Sequence, residues 1–60
     1  MSDYDFTTNF KLLYDIEHLS KGTIGHVDRI CKKPEDECIF YPSSKERRVF
    51  IKFREVERIN

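Results

Sequence analysis

Apolar and polar residues alternate over several short stretches of the chain. The clearest stretch covers residues 47–53. Three apolar side chains fall on one face of a predicted strand there, and a mixed basic and aromatic set falls on the other: Val49, Ile51 and Phe53 against Arg48, Phe50 and Lys52. Period-two alternation over six or seven residues is typical of a half-buried β-strand.

Residues 22–31 predict a second strand because they are rich in β-branched side chains. Gly22 and Gly25 stand three apart at its start and indicate a tight turn and a close approach of two backbones. Val27 and Ile30 have an odd spacing, so they cannot share one face of a flat strand. We therefore expect a bend or a bulge after Gly25.

Three shorter stretches complete the C-terminal half. Residues 32–37 are polar and contain Pro34, which predicts a loop. Residues 38–41 predict a short apolar strand, and residues 42–46 a turn. Residues 54–60 fit one helical turn followed by a last short strand that ends at Ile59.

Residues 10–19 fit two kinds of secondary structure. Leu12, Ile16 and Leu19 have the spacing of one helix face, whereas Phe10, Leu12 and Tyr14 would share one face of a strand. Local signals slightly favour the helix. The short strands predicted elsewhere favour a strand followed by a loop.

The predicted fold class is mainly β, a small SH3-like barrel of about five strands, because closure of a small sheet removes its exposed edges. The alternative is an α+β fold in which one N-terminal helix packs on a three-stranded antiparallel sheet. Sixty residues allow one domain with a small core. We expect a flexible or docking N-terminal arm over residues 1–9 and a single domain over residues 10–60.

The spacing Gly22-x-x-Gly25-x-Val27-x-x-Ile30 resembles the motif of the KOW-type branch of the small SH3-like barrels. The resemblance extends over residues 10–59, with residues 47–53 and 57–59 as the closing strands. It implies a binding module, and in this branch one that binds nucleic acid.

Eleven basic and eleven acidic residues leave the chain without net charge. Residues 1–20 hold four acidic side chains against one basic one, or −3, whereas residues 41–60 hold six basic against three acidic, or +3. A neutral chain has no long-range attraction to a polyanion, which favours a protein as the partner. No apolar run is as long as a membrane span and no signal segment opens the chain, so we expect a cytoplasmic protein with no membrane partner.

No group of residues has the spacing of a catalytic or metal site, so we predict no enzyme, no cofactor and no metal. His18 and His26 are interpreted as surface or hydrogen-bonded side chains. Cys31 and Cys38 flank the 32–37 loop, and we expect both to be free thiols that behave as small apolar residues, with a disulfide and a metal site as the weaker alternatives.

The candidate binding residues are five basic or aromatic side chains of the C-terminal half: Arg47, Arg48, Phe50, Lys52 and Arg54. The favoured function is a non-enzymatic, regulatory module that docks to a partner protein. The alternative is nucleic-acid binding, in which bases stack on Phe50 and the cations hold phosphates. A competing interpretation places Phe50 in an apolar cluster with Ile39 and Tyr41, which would remove it from either role.

Overall fold

The computed structural model describes residues 8–28 and 31–59. These residues form five antiparallel strands and one turn of 3-10 helix, in the order β1 (Phe10–Leu12), β2 (Ile24–Val27), β3 (Glu37–Pro42), β4 (Val49–Lys52), the 3-10 turn (Phe53–Glu55) and β5 (Val56–Arg58). The strand order across the sheet is β4-β3-β2-β1-β5. The sheet curls into a half-barrel that is compatible with an SH3-like barrel, which confirms the mainly β fold class.

Residues 10–19 form a strand and a loop, so the helical alternative was wrong. β1 pairs with β2 on one side and with β5 on the other. In the loop that follows, Ile16 and Leu19 exchange two backbone hydrogen bonds of 2.9 Å. The local helical pattern is overridden because β1 is hydrogen-bonded on both sides while Leu12 lies fully buried beneath it.

The core lies on the concave side of the sheet. Phe40 and Leu12 are its largest fully buried side chains. Val49 and Ile51 of β4 also point into it, as their alternation predicts. The full set of buried apolar residues draws on all five strands and on the loop after β1: Leu12, Leu19, Val27, Cys38, Phe40, Val49, Ile51 and Val56.

The predicted closure of the barrel is not present in the described part of the chain. β4 and β5 follow each other in sequence, yet they lie at opposite edges of the sheet and do not pair. The single 3-10 turn between them carries the chain across the open end, where the rings of Phe10 and Phe53 pack with their centroids 6.0 Å apart. The outer edges of β4 and β5 therefore have no strand partner among the described residues.

Two predictions fall partly outside the described residues. The arm predicted over residues 1–9 lies outside them except for Thr8 and Asn9. The carbonyl oxygen of Thr8 accepts a hydrogen bond of 2.9 Å from the ring of His26, and that of Asn9 accepts one of 3.0 Å from the N–H of Ile59. The bulge predicted after Gly25 is absent as far as Val27, because the register with β3 is continuous there. Ile30, on which that prediction rested, is outside the described residues.

At Gly25, β2 lies close against β3. An added Cβ atom would lie 2.7 Å from the ring of Phe40 and would collide with the carbonyl oxygen of Tyr41. Gly25 is buried, and β2 pairs with strands on both sides, so the strand has no room to move away. The close backbone contact predicted at Gly25 is thus confirmed.

Cys31 and Cys38 are joined in a disulfide, so the expectation of free thiols was wrong. The bond spans seven positions of sequence, and the two Cα atoms lie 5.8 Å apart. Cys38 is buried in β3, and Cys31 packs against the edge of the core. The pairing arises because the polar loop between them turns back against the 3-10 turn, a path that two lone cysteines do not reveal in sequence.

Replacing Gly25 by alanine is expected to lower the free energy of unfolding by about 1–3 kcal/mol, because the new methyl group overpacks the contact with Phe40. Urea denaturation of both proteins measures the loss. Lys21→Ala is the control, because Lys21 is exposed in the turn before β2, and a substitution there should change the free energy of unfolding by no more than about 0.5 kcal/mol. An equal loss in both variants would contradict the steric explanation.

Replacing both cysteines by serine should lower the free energy of unfolding by about 2–3 kcal/mol, as expected for opening a short covalent loop. Thiol titration of the unreduced, denatured protein should detect no free cysteine. Adding a reducing agent should destabilise the wild type and leave the Cys31→Ser/Cys38→Ser variant unchanged. Two titratable thiols in protein prepared without reductant would show that the bond does not form.

Candidate docking surface

Phe50 is the most exposed large apolar side chain among the described residues, with 69% of its surface open to solvent. It lies opposite Ile39 of β3, and Tyr41 follows two residues further along the same face. The three side chains of the predicted cluster therefore lie next to one another on the same face of the sheet. It leaves most of the Phe50 ring uncovered, so the ring remains available for binding.

The convex side of β2, β3 and β4 forms what we call the outer face. Its side chains are those that alternate with the buried ones: Ile24 and His26 of β2, Glu37, Ile39 and Tyr41 of β3, and Phe50 and Lys52 of β4. Ile24 is 37% exposed, and Ile39, Tyr41 and His26 are half-buried. The outer face thus offers a small apolar surface with its most prominent ring at the edge strand.

Three basic residues lie within three positions of Phe50 in the sequence. Arg47 and Arg48 are exposed just before β4, and Lys52 ends the strand. Among residues 8–28 and 31–59, ion pairs within 4.0 Å join other residues, namely Lys11 to Glu57 and Arg54 to Glu35. In that part of the chain, Arg47, Arg48 and Lys52 therefore form no ion pair that would neutralise their positive charge.

Arg54 differs from the other three candidate cations because it forms an ion pair within the described residues. Its guanidinium Nη1 donates to both carboxylate oxygens of Glu35, at 2.7 and 2.8 Å. Its backbone N–H donates to the carbonyl oxygen of Pro34 at 3.1 Å. These contacts give Arg54 a structural role, holding the 32–36 loop against the 3-10 turn.

The same loop is organised by Asp36. One of its carboxylate oxygens accepts hydrogen bonds from the backbone N–H groups of Lys33 at 2.9 Å and of Lys32 at 3.0 Å. These two donors hold the pKa of Asp36 below its ordinary value of 3.8 because they favour the ionised carboxylate. The Asp36 carbonyl oxygen in turn accepts from the N–H of Phe53, which ties the loop to the end of β4.

Two contacts that support the surface had no signal in the sequence. His18 donates from its ring Nε2 to the Arg47 carbonyl oxygen at 2.9 Å and so ties the 13–23 loop to the start of the basic segment. The side chain of Glu55 accepts from the backbone N–H of Lys52 at 2.6 Å. The His18 contact spans 29 positions of sequence, and only the folded chain brings its two partners together.

A concavity of about 360 Å³ opens beside β1, β2, β5 and the 3-10 turn. Phe10, Phe53 and Val56 provide its apolar lining, and Asp28 and Arg58 contribute one charge of each sign. Within the described residues, no three His, Cys, Asp or Glu side chains are grouped to hold a metal ion. Compared with this concavity, the exposed ring of Phe50 and the cations next to it in sequence are therefore the more distinctive candidate for binding.

The chain matches no protein-family model, no curated protein and no solved structure. No helix in the described part of the chain is long and apolar enough to cross a membrane.

The lowered pKa of Asp36 predicts a specific acid sensitivity. Its ionised form stabilises the fold fully above pH 3.8, and this contribution is lost as the pH falls through the lower pKa of the folded state. The Tm difference between wild type and Asp36→Asn should therefore be largest near neutral pH and shrink below pH 3.8. Glu37→Gln removes the same charge one residue away as a control. A difference that stays constant down to pH 2 would contradict the assignment.

Proposed function

We propose that this protein is a non-enzymatic docking module that binds a partner protein through Phe50 and the neighbouring cations Arg47, Arg48 and Lys52. The observation that carries the proposal is the 69% exposure of Phe50 in a chain with a small core. Burying a phenylalanine side chain contributes about 1.5–3 kcal/mol, so a folded domain gains little by leaving this ring in water. A partner that covers it recovers that free energy.

The surroundings of Phe50 match the composition of protein interfaces. Aromatic residues and arginine are enriched at such interfaces, and binding energy concentrates in a few of them. Ile39 lies directly opposite the ring and extends the apolar surface. The basic residues at its border would select an acidic partner and speed its association.

Nucleic-acid binding is the second candidate. The half-barrel is compatible with the SH3-like barrel of the KOW-type modules that the glycine spacing resembles, and an exposed aromatic ring beside three cations is the arrangement on which single-stranded nucleic acids stack. The zero net charge of the chain argues against it, because affinity for a polyanion depends on positive charge. We therefore rank it below protein docking.

Capture experiments with matched variants test the proposal. Phe50→Thr removes the ring but keeps strand propensity, and Arg48→Glu reverses one charge. Both should bind the partner at least about tenfold more weakly, while their stability changes by no more than about 0.5 kcal/mol. Tyr14→Thr is the control, because Tyr14 is 58% exposed but lies in the loop after β1. The partner is identified by mass spectrometry of material retained from a lysate of cells that express the chain naturally.

Nuclease digestion separates the two functions. A docked protein should remain bound after digestion, and an equal loss of binding in Phe50→Thr and Tyr14→Thr would refute the assigned surface. If instead a fluorescent single-stranded oligonucleotide binds, three phosphate contacts predict a slope of log affinity against log salt of about −2. Binding of that kind, lost in Arg48→Glu, would favour the nucleic-acid function.

A further inference from the structure

The hydrogen-bonding register of β4 shows which of its backbone groups face β3. The N–H of Phe53 donates to the carbonyl oxygen of Asp36 at 2.9 Å. Hydrogen-bonded pairs recur at every second residue of an antiparallel ladder. The register therefore directs the N–H and C=O groups of Val49 and Ile51 towards β3.

The alternate residues of β4 direct their backbone groups to the open edge of the sheet. These are Phe50 and Lys52, and β4 has no strand on that side among the described residues. The N–H of Lys52 is already bonded to the side chain of Glu55 at 2.6 Å. The N–H and C=O of Phe50 thus form an adjacent donor and acceptor at the centre of a free edge, directly beside the exposed ring.

Charges on both sides of Phe50 define what this edge can accept. Arg48 stands two positions before Phe50, next to the start of β4, and Lys52 stands two positions after it, at the end of the strand. Where an added strand extends β4 through Arg48, alternation gives all three side chains the same side of the sheet. An added strand would place one residue opposite Phe50 and, two positions away on either side, one residue opposite each cation. Opposite charges across a strand pair stabilise it, and like charges destabilise it.

We infer that the free edge of β4 binds an extended segment of the partner protein as an additional strand, with the pattern acidic-x-apolar-x-acidic. The apolar residue lies against the ring of Phe50 and exchanges two backbone hydrogen bonds with it. The two acidic residues lie opposite Arg48 and Lys52. Strand addition of this kind derives its affinity from main-chain hydrogen bonds and its specificity from alternate side chains. The inference rests on the proposed docking function and names its binding mode.

A second copy of the chain fits this edge poorly. Antiparallel pairing of two β4 strands about Phe50 would set Arg48 of one copy opposite Lys52 of the other. Such like-charge pairs are a common means of keeping exposed edges from associating with themselves. The same charges therefore discourage self-association and admit an acidic strand.

The probe is the acetylated and amidated peptide Ser-Glu-Thr-Val-Thr-Glu-Ser, titrated into isotope-labelled protein and followed by amide chemical shifts. The largest shifts should fall at Phe50 and its neighbours in β4, and the Phe50 amide should gain protection from hydrogen exchange. The matched control replaces both Glu residues by Lys and should bind at least about tenfold more weakly. Arg48→Glu should reduce this preference or reverse it.

N-methylation of the peptide tests the hydrogen bonds without altering the protein. A methyl group on the Val nitrogen removes the donor to Phe50 and should abolish binding. A methyl group on the nitrogen of either Thr points away from β4 and should leave binding within about threefold. This period-two response distinguishes an added strand from a side-chain contact.

Three results would overturn the inference. They are the absence of amide shifts at millimolar peptide, shifts confined to the Phe10–Phe53 concavity, and a dimer in sedimentation whose Phe50 amide is protected without peptide. Failure of the proposed docking function would look different, because no protein would then be captured through Phe50. A partner captured through Phe50 that binds equally well after its acidic residues are replaced would retain docking and exclude this mode.

Discussion

The close packing of Gly25 against Phe40 is the constraint on which the rest of the fold depends. β2 is the central strand of the sheet, and Gly25 pairs with Phe10 on one side and Pro42 on the other. Because Gly25 has no side chain, the Phe40 ring can lie directly on β2 and become fully buried. A larger residue would hold β2 and β3 apart at the centre of a core too small to compensate elsewhere.

The half-barrel that results leaves β4 as an edge strand, and this position creates the candidate docking surface. One face of β4 contributes Val49 and Ile51 to the core, so the strand is held firmly in place. Its other face presents Phe50 to solvent, and its outer edge presents the Phe50 backbone. A ligand would thus meet an exposed aromatic ring and backbone groups that the strand already orders, and the ordered backbone lowers the entropic cost of binding.

The loop between Cys31 and Cys38 stabilises the end of this strand. The disulfide closes the loop, the Asp36 carboxylate orders its backbone, and Arg54 holds it against the 3-10 turn. Disulfides are common in secreted proteins and rare in cytosolic ones. Formation of the bond therefore depends on the redox conditions around the protein, and thiol titration of protein from its native source measures it.

The sequence by itself determined the strands whose residues alternate, the turn elements, and the need for a glycine at position 25, because these depend on local periodicity and on the absence of a side chain. Only the tertiary structure decided the rest. It made residues 10–19 a strand and loop, because pairing on both sides of β1 outweighs local helix propensity. It joined Cys31 to Cys38, and it paired Arg54 with Glu35 of the 32–36 loop. It also left β4 at an open edge with Phe50 exposed, since strand order and register depend on contacts between residues far apart in the chain.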